Sequence, residues 1–292
     1  MFDDFTRKQI KAQKTTINLV QGGRGYPVLL LHGYPQTHLM WRKIAPRLAQ
    51  DFTVVAPDLR GYGDSSKPAN GPDMANYSKR ALALDQVEIM QALGFDRFAV
   101  AGHDRGARVT HRLLRDHPDR ITRAASLDIV PTLYRFETVD QKMATGSWHW
   151  FFLIQGRGLP EHMIGLDPEF VLRHMLASHL GDSGAIEAAA FAEYLRCFAN
   201  PETIRATCAE YRAGASIDLV HDRADRARKV KVPLLILWGA RSGQGSGYDM
   251  LKVWREHADD VRGHGIDSGH FIPEEKPDEV VAALRSFFLA KG

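Results

Sequence analysis

VAGHDRGAR, residues 100–108, decides how the chain is read. Its Gly102-His103-Asp104-Arg105-Gly106 core has the spacing of a nucleophile elbow, a sharp strand-to-helix turn flanked by two glycines that let the backbone fold tightly. The central residue is aspartate where serine would suit acyl transfer. A carboxylate at that point attacks saturated carbon by displacement and leaves an alkyl ester for water to cleave, so one hard substitution becomes two easier steps. Aspartate is also a common turn residue, and the assignment therefore needs a base and an orienting acid in the chain order nucleophile, acid, histidine.

His270 stands where that order demands, in DSGHF, after the last strand-like run and before the C-terminal helical pattern PDEVVAALRSFFLA. For the acid, the turn after PLLILWGA reads Arg241-Ser242-Gly243 without a carboxylate, whereas Asp128 directly follows the run RAASL. Asp128 is the preferred acid and Asp249 the alternative.

Around these residues the runs TTINLV, YPVLLLHG, FTVVAPD, RFAVAGHD, RAASLDIV, PLLILWGA and the less regular VRGHGIDSGH alternate with amphipathic helical patterns. Continuous apolar strands between helices predict an open, mostly parallel α/β sheet covered on both faces. Ligands bind such sheets at the carboxyl ends of the strands, so the turns Leu31–Pro35, Asp58–Gly63 and the elbow are expected to gather on one edge. From Thr132 to Ser216 the strand signals stop, which predicts a helical lid (132–216) inserted into a core made of 1–131 and 217–292. Two of its helices are read from SGAIEAAAFAEYLRCF and from Asn200-Pro201-Glu202 to Gly214, the latter with an Asn cap, Pro at the first position and Gly after the end.

With 38 Lys and Arg against 35 Asp and Glu, the formal charge of +3 is too small for a nucleic-acid or membrane-surface binder. The densest basic run, RADRARKVK at 223–231, carries an interleaved acid and is read as a solvated helix face. The start of the chain has no apolar signal-like stretch, no apolar run approaches the ~20 residues of a membrane span, and Cys197 and Cys208 suit reduced thiols packed in helices. A cytoplasmic location is expected.

HGYPQ, DLRGYG, GHDRGAR, LDIVPT, WHW and SGHF together resemble the haloacetate (fluoroacetate) dehalogenases of the α/β-hydrolase superfamily, from about Ile17 to the C-terminus. HGxP and GHDxG are shared with epoxide hydrolases and haloalkane dehalogenases, but those relatives usually carry Trp where this chain has Arg105. Arg105 and Arg108, three apart on the helix leaving the elbow, suit a carboxylate through planar, bidentate bonds. The resemblance implies the α/β-hydrolase fold, a homodimer, and a halide site at His149, Trp150 and Tyr211, whose N–H and O–H groups would receive an anion stripped of water. Trp148 is read as packing.

The expected reaction is hydrolysis of a small 2-haloacid to a 2-hydroxy acid and halide through an ester on Asp104. His270, oriented by Asp128, would activate water, with the backbone N–H groups of Tyr34 and Arg105 as the oxyanion hole and with no metal or organic cofactor. The main rival is an epoxide hydrolase using the same Asp, Asp and His, for which lid tyrosines are required: Tyr211 with Tyr134 or Tyr194. A non-catalytic binding protein on the same scaffold is a lesser one. Around Gln155–Pro160 and Ser242–Gly247 the chain departs from the family pattern.

Overall fold

The computed structural model describes residues 2–12 and 14–290. Eight strands form one sheet: β1 (Thr6–Lys11), β2 (Thr16–Gly22), β3 (Tyr26–Leu31), β4 (Phe52–Pro57), β5 (Phe98–His103), β6 (Ile121–Leu127), β7 (Leu234–Gly239) and β8 (Val261–Ile266). Their order is β1-β2-β4-β3-β5-β6-β7-β8. β2 runs antiparallel to both its neighbours, and every other pairing is parallel. Val28–Leu31 and Val54–Ala56 are wholly inaccessible, as strands covered by helices on both faces should be.

α1 (Ala45–Leu48), α2 (Lys79–Ala92) and α3 (Arg105–Asp116) lie between the early strands. Between β6 and β7 come α4 (Thr132–Glu137), α5 (Gln141–Gly146), α6 (Trp148–Leu153), α7 (Leu159–Leu166), α8 (Pro168–Ala177), α9 (Ala188–Phe198), α10 (Pro201–Gly214) and α11 (Ile217–Ala224). α12 (Met250–His257), α13 (Ile272–Glu275) and α14 (Pro277–Leu289) complete the helices.

Several elements differ from expectation for identifiable reasons. β1 went unread because TRKQIK has no apolar alternation; it is an exposed edge strand carrying the charges that keep such an edge from pairing elsewhere. The helical insertion continues through α11 to Ala224, and the basic run beyond it is not a helix face. Only Arg223 and Ala224 are helical there, while Arg226 pairs with Glu137 and Arg228 with Asp225. α9 starts at Ala188, five residues into the run read as helical. α10 has the expected Asn200 cap, whose side chain accepts the Glu202 N–H. Gly214, however, is its last helical residue, and a Cβ there would stand 3.1 Å from the Arg105 guanidinium.

At the elbow β5 runs into α3 with Asp104 between them at φ 48, ψ −114. The positive φ thus falls on the aspartate, and neither flanking glycine carries one. The glycines are required by proximity instead. A Cβ on Gly102 would lie 2.4 Å from the Gly106 carbonyl oxygen, and one on Gly106 would lie 2.4 Å from the Leu31 carbonyl at the end of β3. Backbone faces backbone at both contacts, so nothing flexible can yield. Gly106→Ala should lower stability by about 1–3 kcal/mol or more, the range for overpacking, read as a lower urea midpoint at unchanged slope. A midpoint equal to that of the parent protein would refute the contact argument.

Candidate active site

The carboxyl ends of the parallel strands carry the residues singled out in the sequence. The Tyr34 N–H, just beyond β3, donates to Asp104 Oδ1 at 2.9 Å. The other carboxylate oxygen of Asp104, Oδ2, lies 3.8 Å from His270 Nε2, too far for a direct hydrogen bond. His270 Nδ1 stands 2.6 Å from Asp128 Oδ2. Asp128 is fully buried, and its remaining oxygen accepts the Gly239 N–H at 3.0 Å and the Ser242 hydroxyl at 2.8 Å. The turn after β7, which lacks a carboxylate, therefore supplies donors to the acid from β6. Asp249 is elsewhere, capping α12 by accepting the Lys252 N–H.

The histidine is also held from behind. Its N–H donates to the His179 carbonyl at 2.9 Å, and its own carbonyl accepts from His103 Nε2 at 2.7 Å. Burial lowers the His103 pKa to about 3, so this ring is a neutral donor, and Nδ1 is left without a partner. Burial would also lower His270, but the hydrogen bond and charge of Asp128, with the charge of Asp104, raise it above its ordinary value. Burial would raise the Asp104 carboxyl; the charges of His270, Arg105 and Arg108 outweigh that and hold it well below the usual carboxylate range.

Asp104, His149, Trp150, Tyr211, His179 and His270 line one cavity of about 600 Å³. The three residues read as halide donors meet there, with ring centroids 6.0 Å apart for His149 and Tyr211 and 6.1 Å for Trp150 and Tyr211. Burial and then His179 push His149 well below its ordinary value, leaving a neutral imidazole. Burial and the Asp104 charge push the Tyr211 phenol well above its own. Trp148 packs on Phe152 and His174, as expected of a packing residue. The Asp58 turn gathers on the same edge without lining the cavity: Leu59 N–H donates to His32 Nε2, and the Asp58 carboxylate is taken up by His38, Asn18 and the Asp64 N–H.

The paired arginines depart from expectation. Neither belongs to the cavity wall; Arg105 lies 4.1 Å behind the Tyr211 ring and Arg108 4.5 Å behind that of Trp150. They also have different partners. Arg105 Nε and Nη2 each approach a carboxylate oxygen of Glu210 at 2.7 Å, and Glu210 is shared with Lys79, which in turn sits 3.5 Å from Asp218. Burial opposes the charge on Glu210, yet Arg105 and Lys79 hold its carboxyl below the usual range. Arg108 has no acid partner among the described residues. Its Nη1 donates to the Val130 carbonyl at 3.1 Å and the Thr132 hydroxyl at 3.0 Å, and Nε is unpartnered. Burial and the Arg105 charge push it down to about 9, against the pull of Asp104. A guanidinium keeps its proton, so that direction measures how poorly the site solvates the cation.

Glu210 escaped the sequence reading, although a signal existed: Thr207, Glu210, Tyr211 and Gly214 are spaced as one helix face, which puts a carboxylate on a buried stripe. His103 and Ser242 gave no comparable signal. Glu210→Gln should destabilise the protein by roughly 3–5 kcal/mol, because it leaves two buried cations short of an anion. A loss below about 1 kcal/mol in denaturant unfolding would contradict this account of the network.

The alpha/beta hydrolase fold family matches residues 26–277. The chain is 43% identical to a fluoroacetate dehalogenase from Burkholderia sp over 98% of this chain and 95% of that protein, and 34% identical to a soluble epoxide hydrolase from Corynebacterium sp. (strain C12) over 99% of each. It superimposes on the crystal structure of ALR0039 from Nostoc sp PCC 7120 with a TM-score of 0.99 and 53% identity, covering 100% of both chains. The chain belongs to the α/β-hydrolase superfamily and, within it, to the family of the haloacetate dehalogenases.

Proposed function

We propose that the protein hydrolyses small 2-haloacids, haloacetate and water giving glycolate, halide and a proton, through an ester on Asp104. The observation that carries the reading is the division of labour at the Asp104 carboxylate: Oδ1 is held by the Tyr34 N–H, while Oδ2 is left 3.8 Å from a histidine already paired with Asp128. Oδ2 attacks the α-carbon, and the bond to halogen breaks as the halide moves toward His149, Trp150 and Tyr211. His270 then takes a proton from water; hydroxide adds to the ester carbonyl, and the N–H groups of Tyr34 and Arg105 hold the oxyanion on Oδ1. Collapse expels the product alkoxide, which recovers the proton from His270, and the carboxylic acid left on Asp104 releases its own proton to restore the carboxylate. No step calls on a metal or organic cofactor.

Arg108 holds the substrate carboxylate in this reading. Side chains on a helix lean toward its N-terminus, and Arg108 leans one turn back toward Asp104 as a buried cation without an acid. Reaching the bound anion requires the Trp150 ring to shift. Arg105, with Glu210 on two of its nitrogens, supplies charge and its backbone N–H more than a free fork. Residues 132–216, continued by α11 to Ala224, serve as the lid over the sheet and its flanking helices. A cytoplasmic homodimer completes the proposal; Cys197 and Cys208, both buried and unbridged, suit that compartment.

The epoxide reading has the soluble epoxide hydrolase relative in its favour. Against it, Tyr194 spends its hydroxyl on Glu274 at 2.7 Å, and neither Tyr194 nor Tyr134 lines the cavity. Halide release from chloroacetate with none of a panel of epoxides hydrolysed is the expected outcome; the reverse pattern would replace the proposal.

His270→Ala should accumulate a carboxymethyl ester on the Asp104 peptide with chloroacetate, whereas Asp104→Asn should release no halide. An unmodified peptide after halide release by His270→Ala would overturn the ester. The pH dependence has a fixed sign. Protonated His270 cannot accept a proton from water, so steady-state turnover should fall as pH drops through its pKa, which lies above the ordinary value of about 6.5. Asp104 stays ionised well below that point, and a single burst of halide should persist in acid. Loss of the burst together with turnover would contradict the separate roles.

A further inference from the structure

We propose that Arg135 forms a second carboxylate position in the catalytic cavity, so that the site takes 2-halo dicarboxylic acids with a short carbon chain. The inference rests on the haloacid reading above and extends its substrate class. Arg135 is 3% exposed and lines the same cavity as Asp104. Its guanidinium donates only to neutral hydroxyls, Tyr248 at 2.9 Å and Ser147 at 2.8 Å, and Nε has no partner. Arg42, Arg60, Arg105 and Arg112, also buried, each have a carboxylate, whereas Arg108 and Arg115, buried without one, do not line this cavity. Among the described residues Arg135 is the buried arginine without one that faces this cavity. Burying a cation without an anion is costly, and a ligand carboxylate removes the deficit.

The spacing fits a two-ended acid. Arg108 Nη1 ends on the Thr132 hydroxyl in the first turn of α4. Arg135 lies three residues on, on the same face, a rise of roughly 4.5 Å. A four-carbon diacid with one carboxylate at Arg108 sets its α-carbon toward Asp104 and its far carboxylate toward Arg135. Cavity space is ample, since about 600 Å³ far exceeds what a two-carbon acid fills. Asp140 and Lys142, of opposite charge, also line the cavity, and Asp140 Oδ1 accepts the Met143 N–H that starts α5. The chemistry is that of the parent reaction: 2-halosuccinate and water give the 2-hydroxy diacid, halide and a proton, with the carbon–halogen bond broken by Asp104 and the hydroxyl oxygen delivered from its ester.

Titration of the intact protein with succinate and with acetate by calorimetry reads the position without turnover. Succinate should bind at least tenfold tighter; equal affinities overturn the proposal. Arg135→Met should remove that advantage and Arg135→Lys should keep part of it. In turnover, KM for 2-chlorosuccinate should rise at least tenfold more than KM for chloroacetate in Arg135→Met. Equal losses on both substrates would make Arg135 a structural tie between α4, Ser147 and Tyr248 and reject the subsite. Parent protein that binds succinate tightly yet releases no halide from chloroacetate would instead reject the dehalogenase reading and leave the subsite standing.

Discussion

The constraint on which the site depends is the close approach of three backbones at the end of β5. Asp104 adopts a left-handed conformation that costs an ordinary residue about 1–3 kcal/mol and persists only where its surroundings over-determine it. Here the parallel pairing of Leu31 with Gly102 brings the end of β3 against the first turn of α3, and the Asp104 N–H is bonded to Leu127 of β6. The sheet thus fixes the aspartate from both sides. Its side chain has nowhere to go but outward over the strand ends, where the Tyr34 N–H meets it.

Charge compensation organises the rest. Buried acids and bases alternate outward from the elbow: Arg105 against Glu210, Glu210 against Lys79, Lys79 against Asp218. Glu210 and Asp218 come from α10 and α11, Lys79 from α2 and Arg105 from α3, so the inserted helices are tied to the core directly behind the nucleophile. Such ties are specific more than they are strongly stabilising, because desolvating both partners offsets much of their attraction. Around the catalytic cavity, among the described residues, the chain of pairs leaves Arg108 and Arg135 without anions. That imbalance is what an acidic ligand would correct.

Much of this was legible in the sequence because it rests on local chemistry. The apolar runs gave seven of the eight strands, and the order Asp104, Asp128, His270 identified residues that the fold brings within contact of one another. What stayed hidden depends on partners distant in the chain. Glu210 neutralises an arginine 105 positions away, and Ser242 donates to an acid 114 positions away. β1 was invisible because an edge strand is kept polar, and the end of α10 was misplaced because Gly214 lies against the Arg105 side chain as a helical residue and is not a left-handed cap. The paired arginines, similar by spacing, were separated only by what stands opposite each.

The oxygen in the product hydroxyl tests the central claim most directly. In one turnover with enzyme in excess over chloroacetate in oxygen-18 water, the ester route delivers light oxygen from Asp104 to glycolate and places the heavy isotope in the Asp104 carboxylate. Heavy oxygen in the first glycolate released, with none in the Asp104 peptide, would show that water attacks the substrate carbon itself and would contradict the account.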